Sequence, residues 1–385
     1  MKALRWSLGI LGAVVLLIAL ALFVVTRVIN PDDYRGELER LVARDTGRPL
    51  QIEGHLRLEW YPWLELRIGA ARLGNFAPVH GPDLVRWRSM HLPVRLLPLL
   101  LHQRLQIGTI RIDGAHIHLW RTAAGTGNWQ PLLAAPPGGA SHAPPTLGGL
   151  VLRDATLQYT AASGVIRLTH WQLRLGAWQP GQPFALATRL RLRAPKLPKK
   201  GIRIAFRARR LDVRATPLSL TAPHWELTAA HATLSGSVHF TDPNARPRAT
   251  GHLTVQVPSV RALIADLGVK MRLPQDPRAL GRLSLAGHWT LQSGTLRIDP
   301  LTARLDQTTL TGWVAHSGGA TARWTFNLNA DRIDFSHYLP PARKHPRPLK
   351  LPLALLRKLH ARGVLTVRRA RLGTTTLRHA RLQVQ

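Results

Sequence analysis

A mainly β body behind a single N-terminal transmembrane helix is what these 385 residues predict, and three observations carry the expectation. Residues 7–26, SLGILGAVVLLIALALFVVT, form an apolar run without a charge. Beyond that run, apolar and polar residues alternate in many short stretches, the period of a strand with one apolar face. Glycine, proline, asparagine and serine punctuate those stretches, and few segments carry helical spacing, which argues for an antiparallel sheet or a barrel-like body.

The apolar run comes first. Roughly 20 residues at ~1.5 Å rise span the ~30 Å hydrocarbon core of a bilayer. Leu8, Ile10, Leu11, Val14, Val15, Leu16, Leu17, Ile18, Leu20, Leu22, Phe23 and Val24 would face lipid. A cleaved signal peptide is the competing reading, but its apolar core is shorter, and the small residues Ala19 and Ala21 lie inside the run rather than after it. Lys2 and Arg5 precede the run, while Asp32 and Asp33 follow soon after Arg27. This bias places the N-terminus in the cytoplasm and the body outside it, in the periplasm of a double-membrane bacterium.

Residues 30–47 read as a short helix. Asn30 can cap it, Pro31 suits its first position, Asp32 and Asp33 suit its positive end, and Gly47 can stop it. Alternation then begins with Leu56, Leu58, Trp60, Leu64, Leu66 and Ile68 against His55, Arg57, Glu59, Glu65 and Arg67. Residues 92–104 are dense in leucine and read as a short buried helix or kinked segment broken at Pro98. Ile110, Ile112, Ile117 and Leu119 resume the alternation around Gly114. Residues 121–149, rich in Gly, Ala, Pro and Thr, read as a flexible loop.

In the second half Leu190 and Leu192 alternate with Arg189, Arg191 and Arg193, and Ile202, Ile204 and Phe206 with Arg203 and Arg207. Trp324, Phe326 and Leu328 continue the theme. Two further helices are expected, over 259–267 behind a Ser259 cap and over 352–362 before Gly363. The last residues still alternate, so the chain either stops short of a longer sequence or ends in an edge strand.

No catalytic constellation is present: no phosphate-binding glycine loop, no G-x-S-x-G and no H-E-x-x-H. The chain reads as non-enzymatic and free of cofactor. It holds no cysteine, which excludes disulfides, thiolate metal sites and cysteine nucleophiles. His116 and His118 share one strand face, but a pair supplies only two ligands, so no metal site is expected. Asp331 and Asp334 read as strand-end or turn residues rather than an acid/base pair. The net charge of +33 is spread over almost every segment. It reads as a solvated arginine-rich surface, with anionic lipid head groups as the next reading and nucleic acid the least fitting outside the cytoplasm.

A sheet with one apolar face and few helices to cover it has two solutions. It can pack against a second sheet, or it can curve into a groove whose lining is covered by an apolar ligand such as an acyl chain. Alternation alone leaves both open.

Several stretches in order resemble the AsmA family. They are the N-terminal run followed by NPDDYRGELERLVARDTGRPLQIEGHLRLEWYPWLELRIGAARLGN at 30–75, and IGTIRIDGAHIHLWRTAAGTGNWQ with its Gly127-Asn128-Trp129 ending. LTVQVPSVRALIADLGV, DQTTLTGWVAH and NADRIDFSHYLPP follow, the last carrying Asp331, Ile333, Asp334, Tyr338, Leu339 and Pro340 of a D-x-I-D-x-x-x-Y-L-P pattern. The resemblance implies a curved, elongated antiparallel β-sheet forming a repeating β-groove, with a few short amphipathic helices. It implies a single-pass inner-membrane protein with a periplasmic body, acting in outer-membrane biogenesis. Its implied partners are the inner-membrane bilayer, phospholipids, and outer-membrane or periplasmic assembly proteins, with no nucleic acid.

On this reading residues 1–29 are a cytoplasmic tip and anchor, and 30–120 the N-terminal helix and start of the groove. Residues 121–149 are the loop, 150–350 the central groove, and 351–385 a helix and strands opening a C-terminal region that is longer in other members. The groove lining would be Leu56, Leu58, Trp60, Leu64, Leu66, Ile68, Ile110, Ile112, Ile117, Leu119, Leu190, Leu192, Ile202, Ile204, Phe206, Trp324, Phe326 and Leu328. A scaffold that carries no lipid and assists outer-membrane protein assembly is the alternative.

Overall fold

The computed structural model describes residues 30–384 except 60–63, 77–80, 95–105, 122–126, 130–145, 162–163, 196, 216–217, 243–246, 270, 319–322 and 339–359. The apolar run at 7–26 therefore lies outside the described residues. Among the described residues no helix is long and apolar enough to cross a membrane. The chain is mainly β, as expected, and divides into two units, Met1–Ser163 and Gly164–Gln385.

The first unit opens with a 3-10 turn, Pro31–Tyr34, running into helix α1, Arg35–Thr46. The expected signals all operate. The Asn30 side chain accepts the Asp32 N–H at 3.2 Å, and Gly47, at φ 67°, sends its N–H to the Ala43 carbonyl. Asp32 then ties the helix start to the sheet. Its carboxylate accepts the Leu56 N–H at 2.9 Å and the Arg35 guanidinium at 2.9 Å, and lies 3.0 Å from His55 Nδ1.

Nine strands follow: β1 (Leu50–Ile52), β2 (Leu56–Glu59), β3 (Leu64–Ile68), β4 (Ala71–Leu73), β5 (Val85–Trp87), β6 (Ser89–Val94), β7 (Gln106–Asp113), β8 (His116–Trp120) and β9 (Thr146–Ala161). They behave as five long strands with a break in the middle. β2–β3–β6–β7 pair on one side of the break and β1–β4–β5–β8 on the other, all antiparallel. β9 runs parallel to both β7 and β8 and spans the break. The break itself stays hydrogen-bonded, through Gly69 N–H to His55, Arg88 N–H to Asp113, and Gly114 N–H to Arg153. Gly54 and Gly69 are required there, because a β-carbon on Gly54 would lie 2.5 Å from the Ala70 nitrogen.

The second unit holds β10 (Gly164–Leu175), β11 (Phe184–Arg193), β12 (Ile202–Ala215), β13 (Leu218–Ala229), β14 (Ala232–Asp242), β15 (Arg248–Val257), helix α2 (Val260–Asp266), β16 (Leu283–Gln292), β17 (Thr295–Leu305), β18 (Thr308–Ser317), β19 (Arg323–Asp334), a 3-10 turn Phe335–Tyr338, β20 (Ala361–Leu372) and β21 (Thr375–Val384). β10 to β19 form an antiparallel meander in which each strand pairs with the next, with α2 inside the longer β15–β16 connection. β20 joins β19 in parallel and β21 closes antiparallel on β20. Register shifts recur near mid-strand, at Thr169/Gln172, Ala222/Trp225, Gly287/Trp289 and Ile298/Leu301. Each bulge adds local bend and twist to its strand.

Four expectations change. The sheet is not wholly antiparallel, because the connections into β9 and β20 are crossovers that return the chain in the same direction. Residues 92–94 belong to β6, where pairing with β3 overrides their leucine-rich helical look, and 95–104 lie outside the described residues. Residues 361–362 open β20, paired to Trp324 and Thr325, and 352–359 lie outside the described residues. The loop expected over 121–149 is structured at both ends. Arg121 bridges to Gly127, and residues 146–149 are already β9. Helix α2 is found as expected, with the Ser259 hydroxyl accepting the Ala262 N–H at 3.2 Å.

Alanine at Gly236 would place its β-carbon 1.9 Å from the His252 carbonyl oxygen, so Gly236→Ala should cost about 2–3 kcal/mol in a denaturant melt. Gly294→Ala meets open space at φ 73° and should cost only about 1–2 kcal/mol. The Leu56 N–H, then His55 and Arg35, hold the Asp32 carboxyl well below its ordinary 3.8. A depressed carboxylate stabilises the fold above its unfolded value and loses that contribution as pH falls through its folded value. Hydrogen-exchange protection at the Leu56 amide should therefore decline on acidification below about pH 4. Asp32→Asn should remove that dependence, and an unchanged profile would exclude the carboxylate as its origin.

Candidate functional site

Directly opposed residues share a sheet face, so register converts the second unit into rows of side chains. One row runs Phe206, Leu227, Leu234, Val255, Leu285, Ala303, Leu310, Ala330, Val367 and Ala380, apolar at every step from β12 to β21. Two residues along, a second row alternates large and absent side chains as far as Leu328 and then stays leucine: Trp225, Gly236, Leu253, Gly287, Leu301, Gly312, Leu328, Leu365 and Leu382. A third holds Trp289, Ile298, Val314 and Phe326. The opposite face reads Glu226, Ser235, Thr254, Ala286, Thr302, Thr311, Asn329, Thr366 and Arg381. Among the described residues of this unit, only α2 and the turn Phe335–Tyr338 are helical. They are too short to cover the apolar face of twelve strands.

The first unit has the same two-faced character but a lid of its own. Leu56, Ile68, Met90, Ile112 and Leu152 stand opposite one another across its strands. Leu50, Ile52, Leu56, Ile68, Ala71 and Trp87 form a buried cluster, and Leu38 and Val42 of α1 pack against it. The helical spacing of Leu38 and Val42 puts them on one side of α1, which is how a marginal helix gains stability here. The polar face carries an ion-pair group: Glu65 reaches His91 at 2.6 Å and Arg67 at 3.2 Å, and Arg67 reaches Glu59 at 2.7 Å.

The predicted lining residues fall on these faces as follows. Leu56 and Ile68 are buried in the cluster beside α1. Leu58, Leu64, Leu66, Ile110, Ile112, Ile117 and Leu119 are half-buried in the first unit, and Trp60 lies outside the described residues. In the second unit Ile202 is buried, and Leu190, Leu192, Ile204, Phe206, Phe326 and Leu328 are half-buried. Trp324 is 39% exposed and Leu296 38%, in one row with His316 between them. The transmembrane residues lie outside the described residues.

Several polar residues have structural work. Arg48 and Asn128 are both 0% exposed. Arg48 donates to the carbonyls of Asn128, at 2.7 Å, and Gly74, and burial pushes its guanidinium below the ordinary value. The Asn128 side chain accepts the Trp120 N–H at 3.1 Å and donates to Asn75 at 3.0 Å and the His118 carbonyl at 2.9 Å. The Gly-Asn-Trp motif is thus a buried clasp on the crossover between β8 and β9.

The second motif does similar work in the other unit. Asp331 accepts the Thr309 N–H at 2.8 Å, and Asp334 caps the following turn by accepting the Ser336 N–H at 3.0 Å. Tyr338 donates to Asp306 at 2.9 Å, and Asp306 also accepts the N–H groups of Leu280 and Gly281, both at 2.9 Å. Burial, with the Asp306 carboxylate alongside, pushes the Tyr338 phenol well above its ordinary value. His116 Nδ1 lies 2.7 Å from the Thr156 hydroxyl on the neighbouring strand.

Sequence reasoning missed Arg48, whose lone basic letter in a basic chain carries no signal. It also missed a cavity of about 880 Å³ in the second unit, bounded by Arg189, Arg191, Arg203, Lys200 and His231 among others. The R-L-R-L-R alternation at 189–193 was the available sign of it.

Asn128→Ala removes three side-chain hydrogen bonds from a buried site. It should cost about 3 kcal/mol in a chemical melt. Exchange should rise at the Trp120 amide, while the second unit keeps its protection.

Comparison with known proteins matches residues 1–177 to the AsmA family. Protein AsmA of Escherichia coli (strain K12) is 40% identical over 91 residues, which is 24% of this chain and 14% of that protein's length. No solved structure matches. The matched region takes in the apolar run, α1, the buried cluster and the Arg48–Asn128 clasp, and over it the chain is similar to the AsmA family.

Proposed function

We propose that this protein is a non-enzymatic, inner-membrane-anchored component of outer-membrane biogenesis. Its body lies in the periplasm and shields phospholipid acyl chains on the apolar face of its sheet. The observation that carries the proposal is the row from Phe206 to Ala380, apolar in ten successive strands, with a polar face behind it. Contiguous apolar surface of this extent is costly in water and marks a binding face. Twelve strands at ~4.8 Å stack to about 50 Å, and one leaflet of a ~30 Å hydrocarbon core is about 15 Å deep. The face of the second unit alone is therefore long enough for several acyl chains laid across the strands. The bulges bend the sheet, and a bent sheet lowers the exposure of its apolar side toward the half-buried state of Phe206, Leu227 and Leu285. The similarity of residues 1–177 to the AsmA family supports a place in the cell envelope, where the partners are the inner-membrane bilayer, phospholipid and outer-membrane or periplasmic assembly proteins.

The test is photo-crosslinking from Leu58, Ile204 and Leu285 in membrane-extracted protein, with bound lipid identified by native mass spectrometry. Crosslinks to acyl chains from the second-unit positions are expected, and Leu285→Glu should abolish lipid co-purification while the protein stays folded. Undiminished lipid in that folded variant would overturn the acyl-chain reading. Crosslinks to protein alone, with no bound lipid, would replace it with an assembly scaffold.

A further inference from the structure

The cavity beside α2 sits where β11, β12, β13 and β14 end. Its volume of about 880 Å³ falls within the ~300–1,000 Å³ typical of small-ligand sites. Four permanent cations line it, Arg189, Arg191, Lys200 and Arg203, with a single carboxylate, Asp266.

That carboxylate is already engaged. One Asp266 oxygen takes Lys200 Nζ at 2.8 Å and the other takes His231 Nδ1 at 2.5 Å. The three arginines make no ion pair with any described residue. Arg191 and Arg203 stand directly opposite each other on adjacent strands, and Arg189 is the next residue on that face. Like charges directly opposed on a sheet are destabilising, with β-carbons only ~5 Å apart. Arg191 is also half-buried, which adds a desolvation cost. The stems are held in place by Gly201, at φ 68°, where a β-carbon would crowd the Cγ atoms of Arg193 at 2.8 Å and Arg191 at 3.2 Å. The sheet thus maintains an unneutralised pair of guanidinium forks around a roomy cavity.

We propose that this cavity binds a phosphate-bearing anion, held between the forks of Arg191 and Arg203 with Arg189 and Lys200 alongside. Planar guanidinium groups match phosphate oxygens two at a time, and the bound anion relieves the repulsion that its absence leaves. Phosphomonoester and diphosphate groups are the fitting class, carried either on a soluble ester or on a lipid head group. The site does not depend on the apolar rows carrying lipid.

The test uses the full chain in detergent with inorganic pyrophosphate as probe, read by calorimetric titration and thermal melting. Saturable binding and a raised melting temperature are expected. Arg203→Gln should weaken binding about tenfold, and Arg191→Gln with Arg203→Gln should remove it. Without pyrophosphate the double variant should melt at or above the native temperature, because a repulsive pair has gone. Arg369 and Arg378 are a second directly opposed pair, exposed and away from the cavity. Arg369→Gln with Arg378→Gln should leave binding unchanged. Equal loss in that control would reduce the effect to overall charge and overturn the site, as would full binding by the Arg191/Arg203 variant. Glycerol phosphate binding as well as dihexanoyl phosphatidic acid would support the site with a soluble ester as its ligand. Much tighter binding of the phosphatidic acid would support it with a lipid head group. Leu285→Glu should leave pyrophosphate binding intact, which separates failure here from failure of the acyl-chain reading.

Discussion

Register is the constraint on which the rest of this molecule depends. A strand side chain changes face with every residue, so a slip of one residue between any two neighbours would turn an entire apolar row to the other side. Along the row from Phe206 to Ala380 every step keeps its face, and the one-residue shifts at the bulges fall elsewhere along the strands. Glycines help to hold that alignment. Gly236, Gly312 and Gly363 sit where a β-carbon would lie 1.9–2.2 Å from a neighbouring carbonyl oxygen. Any register that put a larger residue in those places would break the ladder.

In each unit few of the described residues are helical, so order comes largely from the backbone ladder and local clasps, joined in the first unit by the buried cluster beside α1. In the first unit Arg48 and Asn128 are buried together and satisfy carbonyl and amide groups of the crossover. In the second, Asp306 collects two backbone N–H groups and the Tyr338 hydroxyl. Both are places where the chain leaves the meander, and there backbone groups lose their regular partners. Buried polar groups must be paired, so side chains take over the pairing. The AsmA-like motifs coincide with these exits, which gives them a structural meaning.

Charge is distributed by the same two-faced geometry. One face must be polar, and with 53 Lys and Arg against 20 Asp and Glu, arginine fills much of it. Some arginines find carboxylates, as Arg207 finds Glu226 at 2.8 Å, and some lie over aromatic rings, as Arg297 does 4.1 Å from Trp313. Around Arg191 and Arg203 neither occurs, and with Arg189 and Lys200 they bring four cations to one cavity.

The strand alternation, α1 with its Asn30 and Gly47 signals, and α2 with its Ser259 cap were all legible in the sequence, because period and capping are local properties of neighbouring residues. The apolar character of Phe206 or Leu285 was equally legible. What faces them was not, since their row partners lie on other strands and only pairing defines them. Leucine-rich 92–94 read as helix because propensity is local, whereas pairing with β3 made it strand. The parallel joints at β9 and β20, the burial of Arg48, and the meeting of Arg191 with Arg203 all depend on residues distant in the chain. The sequence by itself determined a two-faced β chain with an apolar N-terminal run. Only the tertiary structure decided which side chains stand opposite one another, because hydrogen-bond register is a property of strand pairs and not of any single strand.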